Sequence, residues 1–166
     1  MALRRKPRGL AASDDLDLFR PVHQKIREDL IELEVSALNW RPGPATNSVG
    51  SLVAHIVSTE RRNLLRAIGA DETPAENGFA AHLFSLAELS ELVDAADQML
   101  EDLGRTMSME TLSRMVMHPH RGSSSAFVLI LQTYGHVKEH FGHLELTRQL
   151  YHQKYGGQTN AAAPTP

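Results

Sequence analysis

The chain has 166 residues, 42% hydrophobic, with a formal net charge of −3 and no cysteine. That is enough for one domain with a real core, and the apolar share excludes a disordered chain. The absence of cysteine excludes disulfides, zinc–thiolate sites and a cysteine nucleophile. The acidic balance gives no basic field for nucleic acid, and no apolar run approaches a membrane span. A soluble, cytoplasmic protein is therefore expected, and any metal must be held by nitrogen and oxygen ligands, for which nine histidines are available.

Residues 1–13, with Arg4, Arg5, Lys6 and Arg8, read as a flexible basic leader, and residues 154–166 as a flexible tail. Between them, 14–153 reads as one all-α domain. A turn over Asp14–Phe19 leads to Pro21, which suits a first helical turn. Val22, Ile26, Leu30, Leu33 and Ala37 then recur at helical spacing, which predicts a first helix to about Ala37. Trp40-Arg-Pro-Gly-Pro44 ends it. Asn47 or Ser48 caps a second helix carrying Val49, Leu52, Val53, Ile56, Val57 and Leu64, and Gly69 stops it.

A loop from Ala70 leads to Ser85, which stands in capping-box register with Glu88 and opens a third helix with Leu86, Leu89, Leu92, Val93, Ala96, Met99, Leu100 and Leu103 on its core face. Ser108 with Leu112 suggests a short helical turn. Met117–Ser125 reads as a loop, with His118 and His120 flanking Pro119 in a solvated turn. Val116-Met117 is the one extended candidate, but it has no evident partner. Ser124 or Ser125 starts a last helix that reaches Tyr151. Four long helices and no paired strand predict a four-helix bundle.

The last helix carries the chemistry. At about 100° per residue, His136, His140 and His143 fall within one narrow arc, shared or bordered by Leu129, Thr133, Thr147, Leu150 and Tyr151. Histidines at i and i+4 are adjacent on a helix surface and can share one ion at about 2.0–2.1 Å. The bland alternative is a row of core or rim histidines with hydrogen-bond partners. A third ligand from another helix would be His55. The wheel leaves it open, since it lies about 120° from the stripe of its own helix, facing either a neighbouring helix or water. Thr59, one turn on, and Glu139, bordering the histidine arc, are the pocket candidates. His23, His82 and His152 are weaker candidates. The zinc-protease and di-iron carboxylate helix motifs are absent.

Leu38-Asn-Trp40-Arg-Pro42 followed by Asn47-Ser-Val-Gly-Ser-Leu52-Val-Ala-His55, and His136-x-x-x-His140-Phe-Gly142-His143 continuing into Leu146-Thr-Arg-Gln-Leu150, resemble the DinB-like (damage-inducible-B-like) superfamily of four-helix bundles over about residues 14–152. The resemblance implies His55, His136 and His140 as ligands of a divalent ion, zinc, nickel or similar. It also implies a role for His143, which stands where the family often has Gln, in supporting a ligand or in acid–base work. Better-understood relatives include transferases and isomerases that use a low-molecular-weight thiol, so a thiol-transferase or hydrolase acting on a small molecule is expected. A chain without cysteine would take that thiol from outside. A non-catalytic metal-binding or stress-response bundle, or a structural dimerising bundle, is the alternative. Pairing through helix faces as a homodimer is the expected assembly.

Overall fold

A computed structural model of the chain describes residues 16–70, 79, 82–118 and 122–156. The basic leader, most of the tail, His120 and most of the 70–85 loop lie outside them. Six helices and a hairpin follow in order: α1 (Arg20–Ile31), α2 (Val35–Asn39), α3 (Val49–Ile68), α4 (Leu86–Thr106), α5 (Met109–Ser113), β1 (Met115–His118), β2 (Gly122–Ser125) and α6 (Ala126–Tyr155). The four long helices form a ring in which α3 packs on α6 and α4, and α1 on α4 and α6. The fold is thus an all-α four-helix bundle. No helix among the described residues is long and apolar enough to cross a membrane.

Local chemistry sets the helix ends. The Ser48 side chain accepts from the Ser51 N–H at the start of α3. Ser85 and Glu88 form the reciprocal capping box of α4, which satisfies two otherwise unpaired N–H groups. Gly69 closes α3 at φ 76°, a left-handed conformation that glycine adopts without a Cβ penalty. The Arg114 guanidinium then donates to the carbonyls of Arg66 and Ala67, at 3.1 and 2.9 Å, satisfying the end of that helix.

Two expectations fail here. The first helix does not reach Ala37, because the chain breaks after Ile31 and restarts as α2 with Glu34 extended at its N-cap. Leu30 before the break, Leu33 within it and Ala37 after it are all buried while Ile31 and Val35 face out, so the apolar spacing survives a gap that it cannot reveal. The 115–125 segment is not a plain loop. Met115–His118 pairs antiparallel with Gly122–Ser125, from Met115 opposite Ser125 to His118 opposite Gly122. The partner strand of Val116-Met117 is glycine and serine, which carries no strand signature. Backbone bonds hold it, and Ser125 goes on to cap α6 by accepting from the Val128 N–H. α6 itself extends one turn beyond Tyr151, to Tyr155.

The bundle interior holds a charged network. His23 of α1 is fully buried, and its Nε2 lies 2.9 Å from Glu60 Oε2 on α3, itself fully buried. Its Nδ1 lies 2.7 Å from Asp97 Oδ1 on α4, whose other oxygen pairs with Arg27 at 2.7 Å. Burial opposes a charge on His23, but the hydrogen bonds and charges of Glu60 and Asp97 outweigh it and raise the pKa above the ordinary imidazole value. Burial also raises Glu60, against the opposing pull of His23. The pair therefore holds its proton firmly, and it ties three helices together across the core.

Breaking such a pair leaves a buried charge without a partner, at a cost of about 3–5 kcal/mol, whereas replacing both members by apolar residues is often near neutral. His23→Leu alone should destabilise by about that amount, and His23→Leu with Glu60→Leu by clearly less. Both folded pKa values stand above their unfolded ones, so their contribution is full at low pH and is lost as pH rises through the folded values. In urea melts between about pH 6 and 9, beginning near the free imidazole value, the stability advantage of the wild type over the double variant should shrink with rising pH. An advantage that grew with pH would contradict the assignment.

Candidate metal centre

α3 is the buried centre of the bundle. Leu52, Val53, Ile56, Thr59, Glu60 and Leu64 are all buried, so the helix is covered on more than one side. This explains why a single-stripe wheel leaves His55 undecided: its flank faces α6, the principal neighbour of α3. On α6, buried Thr133, Val137, Phe141 and Leu144 hold the helix against the core and bring His136 and His140 to the same seam.

The three imidazoles converge. One ligand nitrogen from each of His55, His136 and His140 lies within 4.8 Å of the others, and all three residues are half-buried. Nε2 of His55 stands 3.2 Å from Nε2 of His136. Nitrogens bound to one tetrahedral ion at about 2.05 Å lie roughly 3.3 Å apart, so this pair is already spaced as ligands. Ring centroids are 4.6 Å apart for His55 and His140 and 4.3 Å for His136 and His140.

The site's electrostatics favour neutral rings. Burial first, then the charges of His140, His136 and Arg62, lower the His55 pKa to about 4. Burial and then the His143 charge lower that of His140, against an opposing pull from Glu139. Neutral imidazole is the form that ligates. His140 Nδ1 is buried with no hydrogen-bond partner, a deficit worth about 1–3 kcal/mol that a cation in the cluster can relieve directly or through the ring's orientation. By distance, protonation and unmet polarity, the three residues fit a divalent ion.

The remaining predicted residues sit around this cluster. His143 is exposed on α6, its ring centroid 5.3 Å from that of His140, so the predicted helical arc splits into two inward histidines and one at the rim. Thr59 is buried one turn after His55, and Glu139 is exposed beside His140, close enough to act on its charge. His82 pairs with Glu88 at the surface. His23 leaves no mark in the sequence, because its partners Glu60 and Asp97 lie 37 and 74 positions away and form no local pattern. No local motif marks Arg61 or Arg62: at about 100° per residue Arg62, seven positions after His55, returns to its side of α3, while Arg61, six positions after it, lies about 120° away.

Residues 18–144 match the sequence profile of the DinB superfamily. Two solved structures share the fold. One is the DinB-like protein YjoA from Bacillus subtilis, 16% identical, with a TM-score of 0.67 over 84% of this chain and 92% of that one. The other is YfiT from Bacillus subtilis, described as a probable metal-dependent hydrolase with an unusual four-helix bundle topology. It is 14% identical, with a TM-score of 0.65 over 91% of this chain and 93% of that one. No curated protein sequence matches the chain.

In metal-stripped protein, the His55 ring should titrate in NMR spectra with a midpoint near 4, well below the ordinary value of about 6.5. Since the folded pKa is the lower one, the neutral ring carries no charging penalty above about pH 6.5, and stability is lost as pH falls from there toward the folded value. A midpoint at the ordinary value would mean that the ring faces water.

Proposed function

The chain belongs to the DinB superfamily, and from that premise we propose that it is a metal-dependent enzyme acting on a small molecule, with His55, His136 and His140 as the ligands of one divalent ion. The observation that carries this reading is the convergence of three half-buried imidazoles from two helices. Full burial would suit a sealed structural ion, whereas partial exposure leaves room for a substrate, as catalytic metal sites require.

His55 approaches from α3, and His136 and His140 from successive turns of α6, so the helix pair fixes ligand geometry on rigid elements. A zinc, nickel or similar ion held by three neutral imidazoles supplies Lewis acidity toward a thiol, a water or a carbonyl. In this reading His143, exposed beside His140, would exchange protons between the site and solvent. The Glu139 carboxylate pulls on the charge of the neighbouring His140 ring. Thr59 contributes a hydroxyl one turn below His55. With no cysteine in the chain, thiol transfer would draw on an external low-molecular-weight thiol. The description of YfiT as a hydrolase supports water as the alternative nucleophile.

Protein loaded with zinc or nickel and desalted should retain about one ion per chain by elemental analysis. His55→Ala, His136→Ala and His140→Ala should each lose it, with affinity down about a hundredfold or more. His143→Ala should keep the ion but lower turnover of a chromogenic ester, or of an aryl halide supplied with a thiol, by about 10²-fold, the lower end of the usual acid–base contribution. Full metal content in all three ligand variants would refute the assignment.

A further inference from the structure

A second feature lies between α3, the helix that carries His55, and α4. A cavity of about 630 Å³ is lined on its apolar walls by residues including Ala54, Val57, Leu65, Leu92, Met99 and Leu103. That volume falls within the usual range for small-molecule sites, which are mostly apolar with a few placed polar groups. The polar groups here are Ser58, Arg61, Arg62, Gln98 and Asp102. Asp102 is already engaged, accepting from Gln98 and pairing with Arg105. Arg61 is exposed and Arg62 half-buried, and among the described residues neither is paired with a carboxylate. The cavity therefore offers two guanidinium groups and an apolar interior, with its acid neutralised.

The cavity and the histidine cluster share one helix. Ser58 Oγ donates to the His55 carbonyl at 3.2 Å, and Arg62 stands near enough to His55 to act on it electrostatically. A ligand whose head group met Arg62 would thus lie next to the imidazoles, while its body filled the space between α3 and α4. Guanidinium groups pair with carboxylates through parallel N–H donors, and such charge-assisted bonds are stronger than neutral ones.

We propose that the α3–α4 cavity binds a small carboxylate with an apolar body, whose anionic head is held by Arg61 and Arg62 and whose apolar part packs against Leu92 and Met99. As a binding site this stands on the cavity and its arginines. As the substrate site it also rests on the metal centre proposed above.

The test uses ¹⁵N-labelled full-length protein, metal-free and zinc-loaded, titrated with naphthoate and with its neutral analogue naphthamide. Naphthoate should shift the amides of Ala54, Ser58, Leu92 and Ala95 and bind at least about tenfold tighter than naphthamide. Arg61→Gln with Arg62→Gln should remove that preference, with helicity by circular dichroism unchanged. Ala95→Trp, at an exposed lining position, should block both probes by filling the space. His140→Ala should leave naphthoate binding intact, so loss of metal and loss of probe binding are read apart. Equal affinity for the two probes, a preference that survives the double arginine change, or shifts confined to other helices would overturn the proposal.

Discussion

The packing of α3 against α6 is the constraint on which the rest depends. It is the most extensive helix contact in the bundle, and it runs through both apolar core and imidazole. Leu52, Val53 and Ile56 on one helix and Leu129, Val137 and Leu144 on the other are buried, and this fixes the register at which His55 meets His136 and His140. Three basic rings in one half-buried seam are not themselves a stabilising arrangement: burial and mutual charge both disfavour protonation, and one buried nitrogen of His140 has no partner. The apolar packing around the seam must supply the free energy that holds the rings together. Such local cost at a point of convergence is the usual mark of a functional site.

The His23–Glu60–Asp97 network complements this seam. It joins α1, α3 and α4 where α6 is not involved, so the helix bearing His55 is anchored by apolar packing and histidines toward α6 and by a charged cluster toward α1 and α4. A short α2 and the segment before α4 lock the ends. Asn39 both donates to and accepts from the Phe84 backbone, at 2.8 and 2.9 Å, and the Tyr151 hydroxyl meets Ser36 at 2.7 Å. α3 is thereby held on several sides, which suits a helix that carries both a ligand and the wall of a cavity.

Much of this was legible in the sequence, for physical reasons. Ser48, Gly69 and the Ser85/Glu88 box mark helix ends because capping is local chemistry. His136 and His140 declare a shared face because their spacing is that of the helix. His55 needed the family resemblance, since a helix buried on more than one side has no single stripe to read. The hairpin escaped because Gly122–Ser125 pairs through its backbone, which composition does not encode. His23 and Glu60 escaped because their pairing is long-range. The break between α1 and α2 escaped because periodicity continues across it.

The central claim is that three imidazoles on two helices bind one ion. X-ray absorption on the zinc- or nickel-loaded protein measures that most directly. The account predicts a first shell containing three imidazole nitrogens at about 2.0–2.1 Å, falling to two in His55→Ala. A shell with fewer than three imidazoles in the wild type, or one unchanged by the loss of His55, would contradict it.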